Sequence, residues 1–404
     1  MKKIETIDVT CTACGACASI CPKGCISMIE NIDGFYYPSI DISLCVDCNL
    51  CETTCHIIAP HEEKNVTLDN FYMYWQSDES KHQSSTSGGA FSLFAQYVLD
   101  RGGAVFGSMY NSDKERLEVR SSDDCGLEPL KKSKYVESFV DKSFKVIRKE
   151  LQVGRYVLYC GTPCQAAGLR KYLSVTKTNQ DKFILIDFAC HGVPTNRILT
   201  HFKRKFETKT KKITNIEFRY KDYKDSKSLW HTATMKLYFS NGKSKVIQSN
   251  SYYYYYYYMA FLENVNLRRS CYNCFQVEHS EADITVGDFW DIIKYKPELD
   301  DNKGVSFIKF HNDKWKDVLQ AINPNDFLQE LPKGTVVDPY KKKSKLPKLP
   351  ERERYLSLLR KYGCYAGSRK YFGTFTIFRN TYFSQFKNLL KPILYKTIWR
   401  NRTR

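Results

Sequence analysis

Between Phe71 and Phe188 short apolar runs alternate with stretches in which apolar residues return every three or four positions. The first pattern is that of buried strands, the second that of helices with one face on a core. Phe71 to Gln76 reads as a strand. It leads through SDESKHQSSTSGG into a helix on which Phe91, Phe94, Ala95 and Val98 share a face, and Gly102-Gly103 stops that helix. Ala104 to Tyr110 is the next strand, giving a strand, helix, strand unit of α/β type. The pattern repeats: Phe139 to Leu151 is amphipathic, Arg155 to Cys160 is a buried strand ending in GTPCQ, Ala166 to Leu173 is a helix, and Phe183 to Phe188 is a strand ending in CHGVP.

From Thr214 to Val246 the alternation lengthens to period two, which predicts twisted antiparallel strands with a hairpin at Asn241-Gly242. Tyr252 to Tyr258 is an unbroken run of tyrosine, low in complexity yet too aromatic to stay unpacked. Beyond Tyr382, Phe383, Phe386, Leu390, Ile393 and Leu394 return at helical spacing, with Lys387, Lys391 and Lys396 between them and Pro392 as a kink. No uninterrupted apolar run approaches the roughly 20 residues of a membrane span, and the polar start carries no signal-peptide pattern.

Charge changes the picture at one end. Residues 341–404 hold 18 Lys and Arg against Glu351 and Glu353, so most of the net +18 of the 404-residue chain sits there. A nucleic-acid reader would spread that charge over a recognition face, which argues against nucleic acid as a partner. A basic amphipathic segment suits an anionic membrane surface or a protein partner, and equally a helix packed on the body with solvated lysines. Sixteen cysteines without a secretory leader point to a reducing, cytoplasmic setting, with the inner membrane surface as the peripheral alternative.

Eight of those cysteines form two runs of one spacing. Cys11, Cys14, Cys17 and Cys21 make CxxCxxCxxxC followed by Pro22, and Cys45, Cys48, Cys51 and Cys55 repeat it, with His56 where the first run has proline. In two-cluster ferredoxins three thiolates of a run hold one cubane and the fourth reaches the other. The spacing therefore assigns Cys11, Cys14, Cys17 and Cys55 to one [4Fe–4S] cluster and Cys45, Cys48, Cys51 and Cys21 to the second. Zinc, which takes ligands in pairs, and disulfides both fit this step worse. Cys25 lies outside the repeat and reads as a small buried residue.

Downstream, Cys164 and Cys190 each follow a strand, at the end where open α/β sheets bind ligands. Cys271 and Cys274 form a CxxC that alone is weak, half a zinc site or a redox dithiol. Together the four make a further set of thiolates. Cys125 and Cys364 have no partners at metal spacing.

The ordered motifs STSGGAF, SKYV, GTPCQ, CHGVP, SCxxC and ADITVGDFW resemble those of the coenzyme F420 hydrogenase/dehydrogenase family of beta subunits, preceded by a two-cluster ferredoxin domain. The resemblance covers roughly residues 1–295 and implies an oxidoreductase that uses FAD and iron–sulfur clusters. It implies a third [4Fe–4S] cluster on Cys164, Cys190, Cys271 and Cys274, with Cys160 as a rival to Cys164. It places the flavin near Ser87, Gly88, Gly89, Lys134, Thr162, Gln165, Asp283, Gly287 and Asp288. A glycine pair before a helix agrees, since it exposes N–H groups to a pyrophosphate, though it is also an ordinary helix start. Glu281, where many members have a basic residue, and Asp291, where glycine is common, are departures near the site. Bacterial relatives often accompany surface-polysaccharide genes.

The expected architecture is α+β and α/β: a ferredoxin-type domain over 1–66, a mixed α/β flavin and cluster domain over 67–340, and a basic helical tail over 341–404. The expected function is electron transfer between a two-electron donor or acceptor and the clusters through FAD, the other party being ferredoxin, F420 or NAD(P)H. The competing expectation is an electron relay that serves a separate catalytic protein. His191 reads as a proton shuttle or as the residue that orients the Cys190 loop. Asp187 and Asp288 read as general bases or as loop and flavin-edge anchors.

Overall fold

The computed structural model describes residues 4, 7, 9–60, 71–232, 234–248, 251–277, 279–332 and 349–373. The N-terminal module opens with a cysteine loop that runs into helix α1 (Ala16–Ile20). An antiparallel pair, β1 (Ile26–Glu30) and β2 (Tyr36–Ile40), follows, and the second cysteine loop runs into α2 (Leu50–Thr53). The two loops share one backbone: Ala13 and Asp47 have φ of 54° and 55°, and Gly15 and Asn49 have φ of 77° and 59°. Left-handed φ at matching steps shows both loops bent to one shape, at Ala13 in a residue that disfavours it.

The central domain then runs β3 (Phe71–Trp75), α3 (Glu79–Gln83), α4 (Ala90–Leu99), β4 (Ala104–Asn111), β5 (Arg116–Ser121), α5 (Ser122–Cys125), β6 (Ser138–Phe139), α6 (Ser143–Gln152), β7 (Val157–Gly161), α7 (Pro163–Val175) and β8 (Phe183–Phe188). After α8 (Asn196–Lys203) come β9 (Ile213–Glu217), β10 (Met235–Phe239), β11 (Ser244–Ile247) and α9 (Tyr252–Leu262). The chain returns through β12 (Ile284–Asp288), α10 (Ile292–Tyr295), β13 (Ser306–Phe310) and β14 (Phe327–Glu330), and ends its described part in α11 (Leu349–Phe372).

Nine strands form one sheet in the order β14-β3-β13-β12-β8-β7-β4-β5-β6. Its centre, β12, β8, β7 and β4, is parallel, while β13, β3 and β14 continue one side antiparallel. Both faces of the centre are covered. Leu158, Ile184 and Ile186 pack under α4 with Phe94 and Val98, whereas Tyr159, Phe183 and Leu185 face the other way onto Phe144 of α6 and Leu169 of α7. Uninterrupted apolar runs are what a strand buried on two faces requires.

β11, β10 and β9 form a separate antiparallel sheet with the expected hairpin, Gly242 taking φ 76°. Its strands are shorter than the alternation predicts, because residues 218–232 fold back toward the main sheet and bury Trp230. The tyrosine run is helical. Tyr256, Tyr257 and Tyr258 are buried beside Phe202, Phe218 and Leu356, with Tyr257 and Tyr258 donating to the carbonyls of Tyr135 and Phe218.

Two expected boundaries move. The helix read from Phe139 starts at Ser143, after Asp141 takes φ 50° and ends β6. The tail expected from residue 341 is part of the body over residues 349–373: α11, two helical segments meeting at Gly363 (φ 76°), buries Tyr355, Leu356 and Leu359. Arg352 Nε also donates to the Leu267 carbonyl at 2.7 Å. The amphipathic pattern beyond Tyr382 lies outside the described residues. Among the described residues no helix is long and apolar enough to cross a membrane.

Candidate functional site

The carboxyl ends of the parallel strands open on a cavity of about 1330 Å³. Each wall follows from an element end. β7 finishes at Gly161, and Thr162 caps α7, its side chain and that of Gln165 bonding reciprocally to each other's backbone N–H. This capping box fixes the first turn, which carries Cys164. β8 finishes at Phe188 and leads to Cys190 and His191, whose Nε2 lies 3.2 Å from the Phe261 carbonyl. α4 begins opposite, with Gly89 at its N-cap (φ 99°) and Ala90 N donating to Ser306 Oγ at 3.5 Å.

The thiols sort into groups by mutual repulsion between their charged forms. Cys164, Cys190 and Cys271 are all pushed up from the ordinary thiol range, first by burial and then by each other and Cys274. Cys160, pushed up to about 12 by burial, feels Asp187 and Lys134 instead. In the N-terminal module Cys11, Cys14, Cys17 and Cys55 form the corresponding group. Cys21 lies 3.3 Å from Cys25, which in turn faces Cys45. Cys48 is exposed.

Backbone amides point at these sulfurs. Ala13 N donates to Cys11 Sγ at 3.4 Å and Val193 N to Cys271 Sγ at 3.4 Å, while amides also favour the charged forms of Cys14, Cys17 and Cys190. Such donors suit thiolates that ligate iron. Among the described residues no three His, Cys, Asp or Glu side chains converge on a single ion. A four-iron core takes one thiolate at each corner and asks for a wider spread.

Of the residues expected around a flavin, Ser87, Gly89, Lys134, Thr162, Gln165, Gly287 and Asp288 line the cavity. Lys134 donates to the carbonyls of Pro129 and Lys131, and burial lowers its pKa to about 7. Asp288 accepts from Trp230 Nε1 at 2.9 Å, and Trp230 stacks on Trp290 with ring centroids 4.4 Å apart. Gly88 and Asp283 stand elsewhere. Gly88 is pressed on β3, where a Cβ would run into the Tyr74 carbonyl. Asp283 lies at the opposite end of β12, pairing with Arg170 at 2.9 Å and accepting from Leu185 N and Asn312, so its role is to tie strands together.

Asp187 is buried off the cavity, its carboxylate accepting from Ser280 and Thr285 hydroxyls and its pKa raised to about 7 by burial. It holds strands rather than facing a ligand. Cys125 donates to the Ser121 carbonyl and Cys364 is buried under α9, both away from the thiol groups. Glu281 turns its carbonyl to Arg170, and Asp291 lines the cavity at the start of α10.

Sequence reasoning missed Lys221. Its side chain is buried and donates to the carbonyls of Ser87 at 3.0 Å and Lys303 at 2.7 Å, and burial lowers its pKa to about 7. It stands among exposed lysines in KDYKDSK, so no local pattern marks it. His56, noted only as a departure from proline, is buried with Nε2 3.0 Å from Thr12 Oγ1 and Nδ1 3.4 Å from Gln276, tying a ferredoxin loop to the segment after Cys274.

Comparison with known proteins gives the class. Residues 10–58 match the 4Fe-4S dicluster domain, and residues 154–333 match the C terminus of the coenzyme F420 hydrogenase/dehydrogenase beta subunit. The chain thus joins an N-terminal 4Fe-4S dicluster domain to the C-terminal domain of the coenzyme F420 hydrogenase/dehydrogenase beta-subunit family, a family of oxidoreductase complexes. The dicluster domain implies two [4Fe–4S] clusters, and the family binds FAD.

One of the subunits of the F(420)H(2) dehydrogenase of Methanosarcina mazei is 20% identical over 308 residues, 72% of this chain and 80% of that one. The Rpo3 chain of the DNA-directed RNA polymerase of Methanosarcina acetivorans is 49% identical over 59 residues, only 14% of this chain and 21% of that one. A chain of the F420-reducing [NiFe] hydrogenase complex from Methanosarcina barkeri overlies 77% of this chain and 94% of its own length, at 12% identity and a TM-score of 0.42. None of these relatives bears on surface polysaccharide.

Proposed function

We propose that the chain is an FAD-dependent iron–sulfur oxidoreductase with a third [4Fe–4S] cluster on Cys164, Cys190, Cys271 and Cys274. The observation that carries this reading is one cavity lined by Cys164 and Cys190, by Gly89 at a helix start, and by Thr12 and Ala13 of the first ferredoxin loop. FAD, when bound, exchanges an electron pair with a donor or acceptor and single electrons with iron–sulfur centres. The chain supplies position and charge. Gly89 and the first turn of α4 offer N–H groups and the positive end of a helix to a pyrophosphate. Lys134 adds an amine whose charged form burial disfavours. Thr162, Gln165, Gly287 and Asp288 line the same cavity as Cys164 and Cys190.

The size of the cavity, about 1330 Å³, favours a donor reaching the flavin directly. The name of the Methanosarcina mazei relative makes reduced F420 the first donor to try, with NAD(P)H and reduced ferredoxin beside it. The test is anaerobic mixing with each donor while flavin and cluster absorbance are followed. Bleaching by one of the three within turnover time supports the reading, and bleaching by dithionite alone refutes direct reduction.

One observation favours a relay to a partner at the other end. Cys48 is exposed, and Ile42, Leu44 and Val46 beside it are 63%, 54% and 55% exposed, an apolar edge next to a cluster ligand. That edge suits a docked electron-transfer protein, as expected of one chain in a larger hydrogenase or dehydrogenase assembly.

A further inference from the structure

Arg268 is 1% exposed and stands between two thiol loops that are far apart in the sequence. Its backbone N–H donates to the Val193 carbonyl at 2.8 Å, in the stretch that leads from Cys190, and three residues later its own segment carries Cys271. Its Nη1 reaches the Cys11 carbonyl at 3.4 Å, in the first ferredoxin loop. Nη2 pairs with Glu137, itself 6% exposed, whose other oxygen accepts from Tyr36 N at 3.3 Å. The guanidinium lies over the rings of Phe35 and Tyr37, with centroid distances of 5.2 and 4.9 Å. Its Nε is buried and has no hydrogen-bond partner among the described residues.

A staple made only for stability would not need a charge here. Burying an ion pair costs several kcal/mol per ion by desolvation, and apolar residues of the same volume commonly do as well. What a guanidinium supplies that they cannot is a permanent positive charge, since it does not lose its proton in a protein. That charge acts on Cys11 and Cys271 at once, and on Cys164 as well. Reduction adds an electron to a centre, so a fixed positive charge in a medium of low dielectric favours the reduced form.

We propose that Arg268, with Glu137 as its counter-ion, is a positioning residue that locks the Cys11 loop to the Cys271 loop and raises the reduction potentials of the clusters that the two thiol sets would hold. The inference rests on the reading that Cys164, Cys190, Cys271 and Cys274 hold a cluster. Each electron that arrives is one of the pair given up by the two-electron donor in the cavity. No bond of the chain forms or breaks, and no proton passes through Arg268. The second ferredoxin loop, with Cys48 exposed to water, is screened from this charge.

The test is potentiometric titration of the full chain under anaerobic conditions, followed by electron paramagnetic resonance so that each centre is read separately. In Arg268→Gln the reduced-to-oxidised ratio of the two buried centres should fall about tenfold at the wild-type midpoint, about 59 mV for a one-electron couple, with the exposed centre unmoved. Glu137→Gln should shift the same two centres the opposite way, and Arg268→Lys should restore them. Unmoved potentials in Arg268→Gln with full iron content overturn the inference. If that variant loses iron, Glu137→Gln decides, and unmoved potentials there overturn it equally. A wild-type protein with two centres instead of three refutes the third cluster, a failure distinct from three centres whose potentials ignore Arg268.

Discussion

Gly168 lies directly against Cys14: a Cβ built on it would meet the Cys14 Sγ at 2.6 Å and the Cys14 Cβ at 2.8 Å. Gly168 is on α7, one turn after Cys164, so the helix that presents a thiol to the cavity also seats a thiol of the first ferredoxin loop. The ferredoxin module and the sheet domain are thus joined at a point where only a hydrogen atom fits. Gly168→Ala should push Cys14 out of line, with an overpacking cost of roughly 1–3 kcal/mol. Iron analysis after anaerobic purification should show a loss of about four irons per chain, one cluster's worth.

The separation of Cys160 from the quartet has a plain consequence. Cys274→Ala should remove about four irons from the full chain, and Cys160→Ala should remove none. Cys125→Ala is a further control, its thiol being occupied with the Ser121 carbonyl.

Flavin retention should depend on Gly89 through its place and not merely its backbone. Gly89→Val forces a side chain into φ 99° and against Gln76, where the nearest atom is 2.6 Å from a built Cβ. Gly102, at the other end of α4, has φ 65° with nothing within 4 Å of a built Cβ. Both substitutions carry the left-handed penalty of about 1–2 kcal/mol. FAD released on denaturation should fall by more than half in Gly89→Val and stay at the wild-type level in Gly102→Ala.

Asp187 offers a pH test. Its folded pKa of about 7 lies above the ordinary carboxylate value, so the folded chain holds a proton that the unfolded chain has lost. The stability this contributes is fully present below the unfolded pKa, about 3.9, and is lost as pH rises through about 7. The apparent thermal midpoint at fixed scan rate should therefore drop between pH 6 and 8, and the drop should be smaller in Asp187→Asn. Infrared difference spectra across the same range should show a carboxylic acid band in the wild type that the variant lacks.

Much of the frame is legible in the sequence. β7, β8 and β4 are buried on both faces, and such strands must be written as continuous apolar runs. The two cysteine loops are legible because ligation by a cubane fixes spacing along the chain. What escapes is set by tertiary packing. Glu137 and Arg268 are 131 positions apart, and nothing in either neighbourhood marks them as a pair. Lys221 is buried against the Ser87 and Lys303 carbonyls, whereas its own letters read as solvent. Asp283 and Gly88 sit inside motifs that approach the cavity, yet the strand end and the sheet backbone claim them first. The helical state of Tyr252–Leu262 is decided by the wall it packs on, since tyrosine favours strands.

The basic end of the chain calls for a cut after Gly373, because a chain ending at Leu349 would lose the buried Tyr355, Leu356 and Leu359. Lys387, Lys391 and Lys396 fall between apolar residues at helical spacing, and each basic residue near an anionic surface contributes roughly 1 kcal/mol at low salt. The full chain should float with vesicles containing anionic lipid at low salt, and a chain ending at Gly373 should stay at the bottom of the gradient.

The central claim, one flavin and three cubane clusters in a single chain, is tested most directly by iron, acid-labile sulfide and FAD analysis of the anaerobically purified full-length protein. The account predicts about twelve irons, about twelve sulfides and one FAD per chain. About eight irons with no flavin would contradict it, leaving a two-cluster ferredoxin fused to a domain that carries no redox group of its own.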